Sequence, residues 1–540
     1  MQITTKTTTL GYLILSDKEY LSSLAVLANS RSCIFAYLHP SGDVRLTTTG
    51  KFSTDITDNI PTNTYPVIGF IPSFTPSNLG CSTFLDTHKV IYAYVAGAMA
   101  GGISSTEMVI AMAKNNMLSF FGSGGLDLNQ IEQAILTIQT SIPGRENYGF
   151  NLLSNPISPK IEWDTINLYL RYGVNRIEAS AFTQITPALV YYRIKGLQRG
   201  KDNQAIANHH IFAKLSRPEL AQQFMEPPPW RIVEKLLADG LVSQEEAQLA
   251  LKIPLAEDIT VEGDSGGHTD RMPTIALLSA IQNVRNIVMA QRSYTRRIRV
   301  GAAGGIGTPT TAAAAFAAGA DYIVTGSINQ SCVEAGTSEI VKEMLAEAEI
   351  NQTDIAPAAD MFELGSQVQV LKNRTLFPSR AKKLYQIYRN YSSWEQIPEE
   401  ERKDIEERYL RASFEEVWQL VAEYFSLRDP QQLIKAAKQP KHKMALVFRW
   451  YLGLSSRWAQ KGTSDRSVDF QIWCGPVMGS FNQWVKGSFM ENHQERKVAV
   501  VGLNILHGAV AVVRARMLSM QGINLPEEAF QFAPSRFELR

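Results

Sequence analysis

Three short segments carry residue types and spacings suited to ligand binding and proton transfer. Gly301-Ala302-Ala303-Gly304-Gly305-Ile306 and Thr325-Gly326-Ser327-Ile328-Asn329 are runs of small residues that each follow a β-rich stretch. Small side chains let backbone N–H groups approach an anion, so Gly304, Gly305, Gly326 and Ser327 are candidates to hold a phosphate; glycines that only make tight turns would read the same way. The third segment, Val261-Glu262-Gly263-Asp264-Ser265-Gly266-Gly267-His268-Thr269-Asp270, presents a histidine on a glycine-rich loop. An imidazole there can exchange protons near neutral pH. The plainer alternative is a hydrogen-bonded surface or core histidine, with Asp264 or Asp270 only capping the turn. Asn151 and Lys214 are polar residues inside the otherwise apolar runs NYGFNLL and HIFAKLS. Burying an amide or an ammonium without a partner is costly, which argues for a polar ligand near both. For Lys214 an ion pair with Glu178 or Glu262 is the competing explanation.

Other reactive residue types lack such surroundings. His39, His88, His209, His210, His442, His493 and His507 sit in no comparable loop, and His209 and His210 open a strand-like run rather than close one. The four cysteines (Cys33, Cys81, Cys332, Cys474) are far apart and form no CxxC or Cys/His cluster, so neither a disulfide framework nor a zinc site is expected. Cys332 follows the second small-residue loop but has no basic partner in view, and Cys474 beside Trp473 reads as packing.

The elements that would position these residues repeat one grammar between about residues 88 and 345. A short β-rich run is followed by a small-residue loop and then by a helix-period segment, the alternation of a parallel sheet. The runs VIYAYVAG, MLSFFGS, NYGFNLL, NRIEAS, HIFAKLS, ITVEGD, RIRVGAA and DYIVTGS make eight such units, the count that closes a (β/α)8 TIM barrel in the α/β class. Sites in that fold lie at the C-terminal strand ends, where the three loops fall. Ser104 and Glu107 read as a capping box, while Thr186-Pro187 and Thr308-Pro309 place an N-cap before a proline at the first helical position. Gly319 reads as a helix terminator. Ile131, Ala134, Ile135 and Ile138 form one apolar helix face. A helical insertion is expected at about 217–257, opening with FMEPPPW. Residues 1–87 read as a small β-containing N-terminal extension, 88–355 as the barrel, and 356–540 as a helical C-terminal region.

With 540 residues, 45% of them hydrophobic and 19% charged, the chain can bury a large core, which excludes collagen-like, disordered and small disulfide-rich classes. A net charge of +1 provides no global attraction to nucleic acid or an anionic membrane. No stretch reads as the ~18 consecutive apolar residues that span a bilayer, and the N-terminus lacks a signal-peptide pattern. A reducing cytoplasm is the expected compartment.

YVAGAMAGGISSTEMVIAMAK, YGFNLLSNP, VEGDSGGHTD, AAGGIGTP, GADYIVTGSINQSCVEAGTS and VDFQIWCGPVMGSFNQWV together resemble the PfaD-type flavin enoyl reductases. These are relatives of the nitronate monooxygenase barrels that act in trans on polyunsaturated fatty acid and trans-acyltransferase polyketide synthases. The resemblance runs from about residue 85 to the end. It implies FMN as cofactor and NADPH or NADH as reductant, with an enoyl thioester on an acyl carrier protein as substrate. By motif, Gly97, Ala98 and Met99 would underlie the flavin ring; Gly122 and Gly267 are further candidates to bind the cofactor. Asn151 would contact the ring or ribityl chain, and Gly304, Gly305, Gly326 and Ser327 would hold the phosphate. Lys214 would face the cofactor, and His268 would face flavin and substrate as the proton donor. Gly263 stands where an alanine is usual, Arg271-Met272 replace an Asn-Arg pair, and Gly101 replaces an asparagine, all on the side expected to meet substrate. A carrier protein's acidic face would meet a basic patch such as Lys435, Lys438, Lys441 and Lys443, or Arg380, Lys382 and Lys383, although a solvated helix face gives the same pattern. Nitronate oxidation and a non-catalytic docking scaffold are the alternative readings. The C-terminal region would cover the site or form a homodimer interface.

Overall fold

The computed structural model describes residues 9–15, 23–55, 61–155, 158–201 and 203–539. Eight parallel strands close into a barrel: β1 (Tyr94–Ala96), β2 (Leu118–Phe121), β3 (Gly149–Leu153), β4 (Arg176–Ser180), β5 (His210–Leu215), β6 (Asp258–Glu262), β7 (Arg299–Ala303) and β8 (Ile323–Thr325), with β8 pairing back to β1. Nearly every residue in them is buried, because the helices cover one face and the barrel interior fills the other. Val95, Leu118, Phe120, Phe212, Tyr322 and Val324 form one cluster with Phe84 of the helix Ser82–His88, which closes the N-terminal end.

Local signals explain the outer helices. Thr186 and Thr308 cap their helices, accepting from the backbone N–H of Leu189 and Thr311. Ile131, Ala134, Ile135 and Ile138 are the buried face of Leu128–Ser141. Gly319, at φ +87°, follows Pro309–Ala317 and its cap Ala318 in the left-handed region. The expected capping box is shifted by one residue. Ser105, not Ser104, accepts from Met108 N and caps Thr106–Lys114. Between β5 and β6 the chain forms the helices Pro218–Met225, Trp230–Ala238 and Gln244–Ala250.

The chain departs from the expected layout after β8. Thr353–Pro357 and Gln367–Leu371 are strands, so the region from 356 onward is not helical throughout. They form an antiparallel three-stranded sheet with Gly267–His268, whose register pairs Gly267 with Gln369 and His268 with Val368. A five-residue strand whose partner lies about a hundred residues earlier leaves too short a periodic signal to read locally. Helices from Phe377–Asn390 to Pro440–Lys461 then pack around their own core of Phe362, Phe377, Leu384, Trp394, Phe414 and Phe448. The chain returns to the barrel with Val498–Met520, which lies against both Pro309–Ala317 and Thr106–Lys114, the helices after β7 and β1. This is the place of the barrel's eighth outer helix, so the barrel does not end at 355.

Val498–Met520 also corrects the sequence reading of apolar stretches. By length and composition it could cross a membrane, but 89% of its apolar window is buried inside the protein. Its far end packs under the N-terminal sheet, in which Val44–Thr47, Ile34–Leu38, Thr64–Ile71, Gly11–Ile14 and Lys51–Ser53 lie in that order, all antiparallel. Arg514 reaches from the helix to the carbonyls of Leu27, Asn29 and Ser32.

Candidate active site

The loop after β1 is folded onto the barrel mouth by its own hydrogen bonds. Gly97 N donates to Thr325 O at 2.9 Å, and Ala98 N donates to Glu178 Oε2 at 3.1 Å. Met99 N donates to Ser104 Oγ at 2.7 Å while that hydroxyl donates to Gly97 O at 2.9 Å. Ser104 is thus occupied in shaping this loop, which is why its neighbour caps the helix. Gly122 lies beneath the loop: a Cβ there would run into the Met99 carbonyl, and Gly122 O accepts from Gly102 N at 2.8 Å. The missing side chain at Gly122 therefore lets the Met99 carbonyl approach.

Glu178 on β4, Lys214 on β5 and Glu262 on β6 form an ionic group in the mouth. Lys214 Nζ lies 3.8 Å from Glu178 Oε2 and 3.6 Å from Glu262 Oε1. Burial raises the Glu178 carboxyl above its ordinary value, with Lys214 opposing. Burial pulls the Lys214 ammonium down, but the Glu262 and Glu178 carboxylates outweigh it, so the group stays charged. Both ion-pair partners considered from sequence are in place. Asn151 on β3 donates through Nδ2 to Glu178 O at 2.8 Å and Ser180 Oγ at 3.1 Å, which leaves its Oδ1 as the amide's remaining acceptor.

The two small-residue loops differ in openness. A Cβ on Gly304 (φ +86°) would meet Asp264 O and Gly263 C at 2.9 Å, so this glycine is closed against the β6 loop. A Cβ on Gly305 would meet only Thr274 Oγ1 at 4.0 Å, and one on Gly326 would meet nothing within 4 Å. The free backbone surface is thus at Gly305 and Gly326. Ser327 Oγ accepts from Gly475 N at 3.1 Å and is committed to the Cys474-Gly475-Pro476 segment.

His268 sits on the short strand Gly267–His268, with Gly267 at φ +83° against the Trp473 side chain. The loop before it is clamped. Gln369 Nε2 donates to Asp264 Oδ1 at 3.1 Å and Ser265 O at 3.0 Å, and a Cβ on Gly266 would lie 2.9 Å from Cys474 N and Ser327 Oγ. His268 Nε2 is 3.2 Å from Asp360 Oδ2, with side chains 46% and 62% exposed. Burial lowers the imidazole's proton affinity, but the Asp360 hydrogen bond and charge, with Glu262 behind them, outweigh it, and the net displacement is upward. Asp360 in turn is held below the usual carboxylate range, its burial offset by His268.

The mouth therefore brings together Gly97, Ala98, Met99, Asn151, Lys214, Gly267, His268, Gly304, Gly305, Gly326 and Ser327, and leaves Gly122 one layer behind. Sequence reasoning missed Asp360, Gln369, Ser104 as a loop former, and Gln460, whose amide donates to Gly101 O and Gly336 O. Asp360, Gln369 and Gln460 act through partners far along the chain, so no local spacing marks them. Burial pushes the Cys332 thiol well up and the Cys474 thiol to about 12, which leaves neither as a nucleophile at neutral pH. Among the described residues no group of His, Cys, Asp and Glu is arranged to hold a metal ion.

Comparisons with known proteins match this architecture. Residues 391–470 match the inserted helical domain of acyl-carrier-protein S-malonyltransferase. Polyketide biosynthesis protein PksE of Bacillus subtilis (strain 168) is 44% identical over 446 residues, 83% of this chain and 58% of that protein. A polyunsaturated fatty acid synthase polypeptide of Thraustochytrium sp. is 41% identical over 471 residues, 85% of this chain and 31% of that protein. The chain thus spans little more than half of the first of these relatives and under a third of the second. The crystal structure of the enoyl reductase domain of MlnA, from the macrolactin biosynthesis cluster of Bacillus amyloliquefaciens, is 41% identical with a TM-score of 0.79, over 82% of this chain and 99% of that domain. At that identity over almost the whole of a solved domain, and with polyketide and polyunsaturated fatty acid synthase proteins as its relatives, the chain belongs to the PfaD-type enoyl reductases.

Proposed function

We propose that this chain reduces the α,β-double bond of an enoyl thioester delivered on an acyl carrier protein, with FMN as its resident cofactor and NADPH or NADH as reductant. The residues of the mouth fit that cofactor. Gly305 and Gly326 offer open backbone for the phosphate at the ends of β7 and β8, a place that suits phosphates in barrels of this kind. The Gly97–Met99 loop would lie under the ring, Asn151 Oδ1 would accept from it, and Lys214 would place a positive charge beside it. When bound, FMN supplies the hydride chemistry, from nicotinamide to the substrate β-carbon.

The chain's own residues supply position and the proton. His268, whose proton affinity is raised by Asp360 and Glu262, holds the proton that is delivered to the α-carbon. The clamped loop around Gly266 and Gly267 keeps that imidazole from drifting. Gln460 and the Gly101 carbonyl tie the helix Pro440–Lys461 to the rim, where an acyl chain would enter. Of the basic clusters, Arg380, Lys382 and Lys383 are tied to Asp469, Asp354 and Glu401, whereas Lys435 and Lys438 are exposed and better suited to an acidic carrier surface.

The observation that carries this reading is the open glycine backbone of β7 and β8 on the same barrel face as a protonatable His268. The test is the visible absorption spectrum of the purified protein under nitrogen, with and without NADPH, followed by turnover of a crotonyl thioester against propionate 3-nitronate. Flavin bands that bleach with NADPH, and turnover of the thioester, are expected. Preference for the nitronate would replace the reductase by a nitronate monooxygenase, and a colourless protein that cannot take up FMN would favour a docking scaffold.

A further inference from the structure

Asp360 lies on the connection between Thr353–Pro357 and Gln367–Leu371, and that connection is fixed from three sides. The strand Gln367–Leu371 pairs with Gly267–His268. Phe362 is buried in the core shared by the C-terminal helices. Arg449, on the helix Pro440–Lys461, donates through Nε to Ala359 O at 2.9 Å and through Nη2 to Asp360 O at 3.4 Å, and its Nη1 lies 3.3 Å from Glu363 Oε1. His442 Nδ1, 3.5 Å from the same Glu363 oxygen, adds a further tie. The backbone that carries Asp360 is therefore held by tertiary structure, and it presents the carboxylate 3.2 Å from His268 Nε2.

We propose that Asp360 is the positioning residue of His268, fixing the ring with Nε2–H toward the carboxylate so that Nδ1–H is the proton given to the substrate. The inference rests on the enoyl reductase reading. Bound FMN, reduced by the nicotinamide, would supply the hydride that forms the C–H bond at the β-carbon. The π electrons move to the α-carbon, which takes the Nδ1 proton, and His268 is left neutral with Nε2–H still on Asp360. Solvent reprotonates it, since the imidazole is 46% exposed. Two acidic groups face His268, Asp360 and Glu262, and both favour the cation. Asp270 on the same loop is turned away to Ser216 and Arg217, and Arg449 is engaged by Glu363 and the loop carbonyls. The barrel thus takes its proton donor's orientation from a segment inserted between its eighth strand and eighth helix.

The test uses the full-length holoprotein and its Asp360→Asn variant, with Asp360→Glu as the conservative control. Imidazole titration followed by NMR of ¹³C-labelled histidine, with His268 assigned by His268→Gln, should show the His268 midpoint falling by about one pH unit in Asp360→Asn and recovering in Asp360→Glu. The alkaline limb of kcat for a crotonyl thioester should move down with it, while flavin content and the rate of reduction by NADPH stay as in wild type. An unchanged His268 midpoint in Asp360→Asn overturns the inference. The NMR readout does not depend on turnover, so a wild-type protein that fails to reduce enoyl thioesters would overturn the function while a shifted midpoint would still establish the pairing.

Discussion

In the proposed reaction His268 is the proton donor, and its environment gives a signed expectation. Its proton affinity is raised, so the donor form persists above the ordinary histidine value of about 6.5, and kcat should fall as pH rises through the raised value. His268→Ala should keep its flavin and its reduction by NADPH but lose roughly 10²- to 10⁴-fold in enoyl thioester turnover. Stopped-flow measurement of the two half-reactions separates these effects, and wild-type turnover in the variant would remove His268 from the mechanism. The histidine was legible because glycines around a lone imidazole at a strand end are unusual in composition. Asp360 was not, since an aspartate in ADMFELG looks like any loop acid until tertiary structure brings it to 3.2 Å from the ring.

Among the elements, the βα loops separate glycines that make room for a ligand from glycines that make room for the chain. Gly326 has negative φ and an open Cα side, so Gly326→Ala should fold normally and bind FMN more weakly, measured by flavin retention on dialysis and by thermal melting of the apo form. Gly122→Ala should instead destabilise the apoprotein itself, because its Cβ has to displace the Met99 carbonyl and with it the whole β1 loop. Equal melting temperatures for the two apoproteins would contradict this division. In the sequence both positions are small residues after a strand, and only the packing of one loop over another tells them apart. The same limit moved the helix cap from Ser104 to Ser105: either serine has the right chemistry, and the hydroxyl bonded to Gly97 O is no longer available to the helix.

In the whole molecule, the barrel is completed by its C-terminus. Val498–Met520 occupies the eighth helix position with Tyr94 and Met117 close to Gly502, so a chain ending at 355 would expose the apolar faces of β1 and its neighbouring helices. Such a truncation is expected to be aggregated or molten, as read by near-ultraviolet circular dichroism, and a cooperative melt from it would show the barrel to be self-sufficient. The opposite end of the barrel sets the acid limit. His88 is buried and neutral, held down to about 3, with Nδ1 accepting from Arg176 Nε at 3.1 Å and Nε2 3.1 Å from Asp258 Oδ2. His209 is held down to about 4. The unfolded chain takes up protons at these histidines below about 6.5 and the folded chain does not, so stability should decline as pH falls from there. Glu257 and Asp258, both held below the carboxylate range by arginines, add a second decline below about 4. Half-exposed His268, displaced upward, opposes the first decline only weakly. Urea midpoints that stay level between pH 8 and 5 would refute the histidine contribution.

Eight βα periods, the N-caps Thr186 and Thr308 and the glycine loops at strands six to eight were readable from residue order, because each depends on contacts within one helix turn or one strand-to-helix junction. Those signals are enough for the barrel and for the strand ends at which the candidate site is proposed. The pairing of Gly267–His268 with Gln367–Leu371, the His268–Asp360 contact, the Gln369 clamp and the return of Val498–Met520 to the barrel join residues separated by roughly ninety or more positions. At such separations each residue type is compatible with many partners, and burial of the shared apolar surface selects one of them.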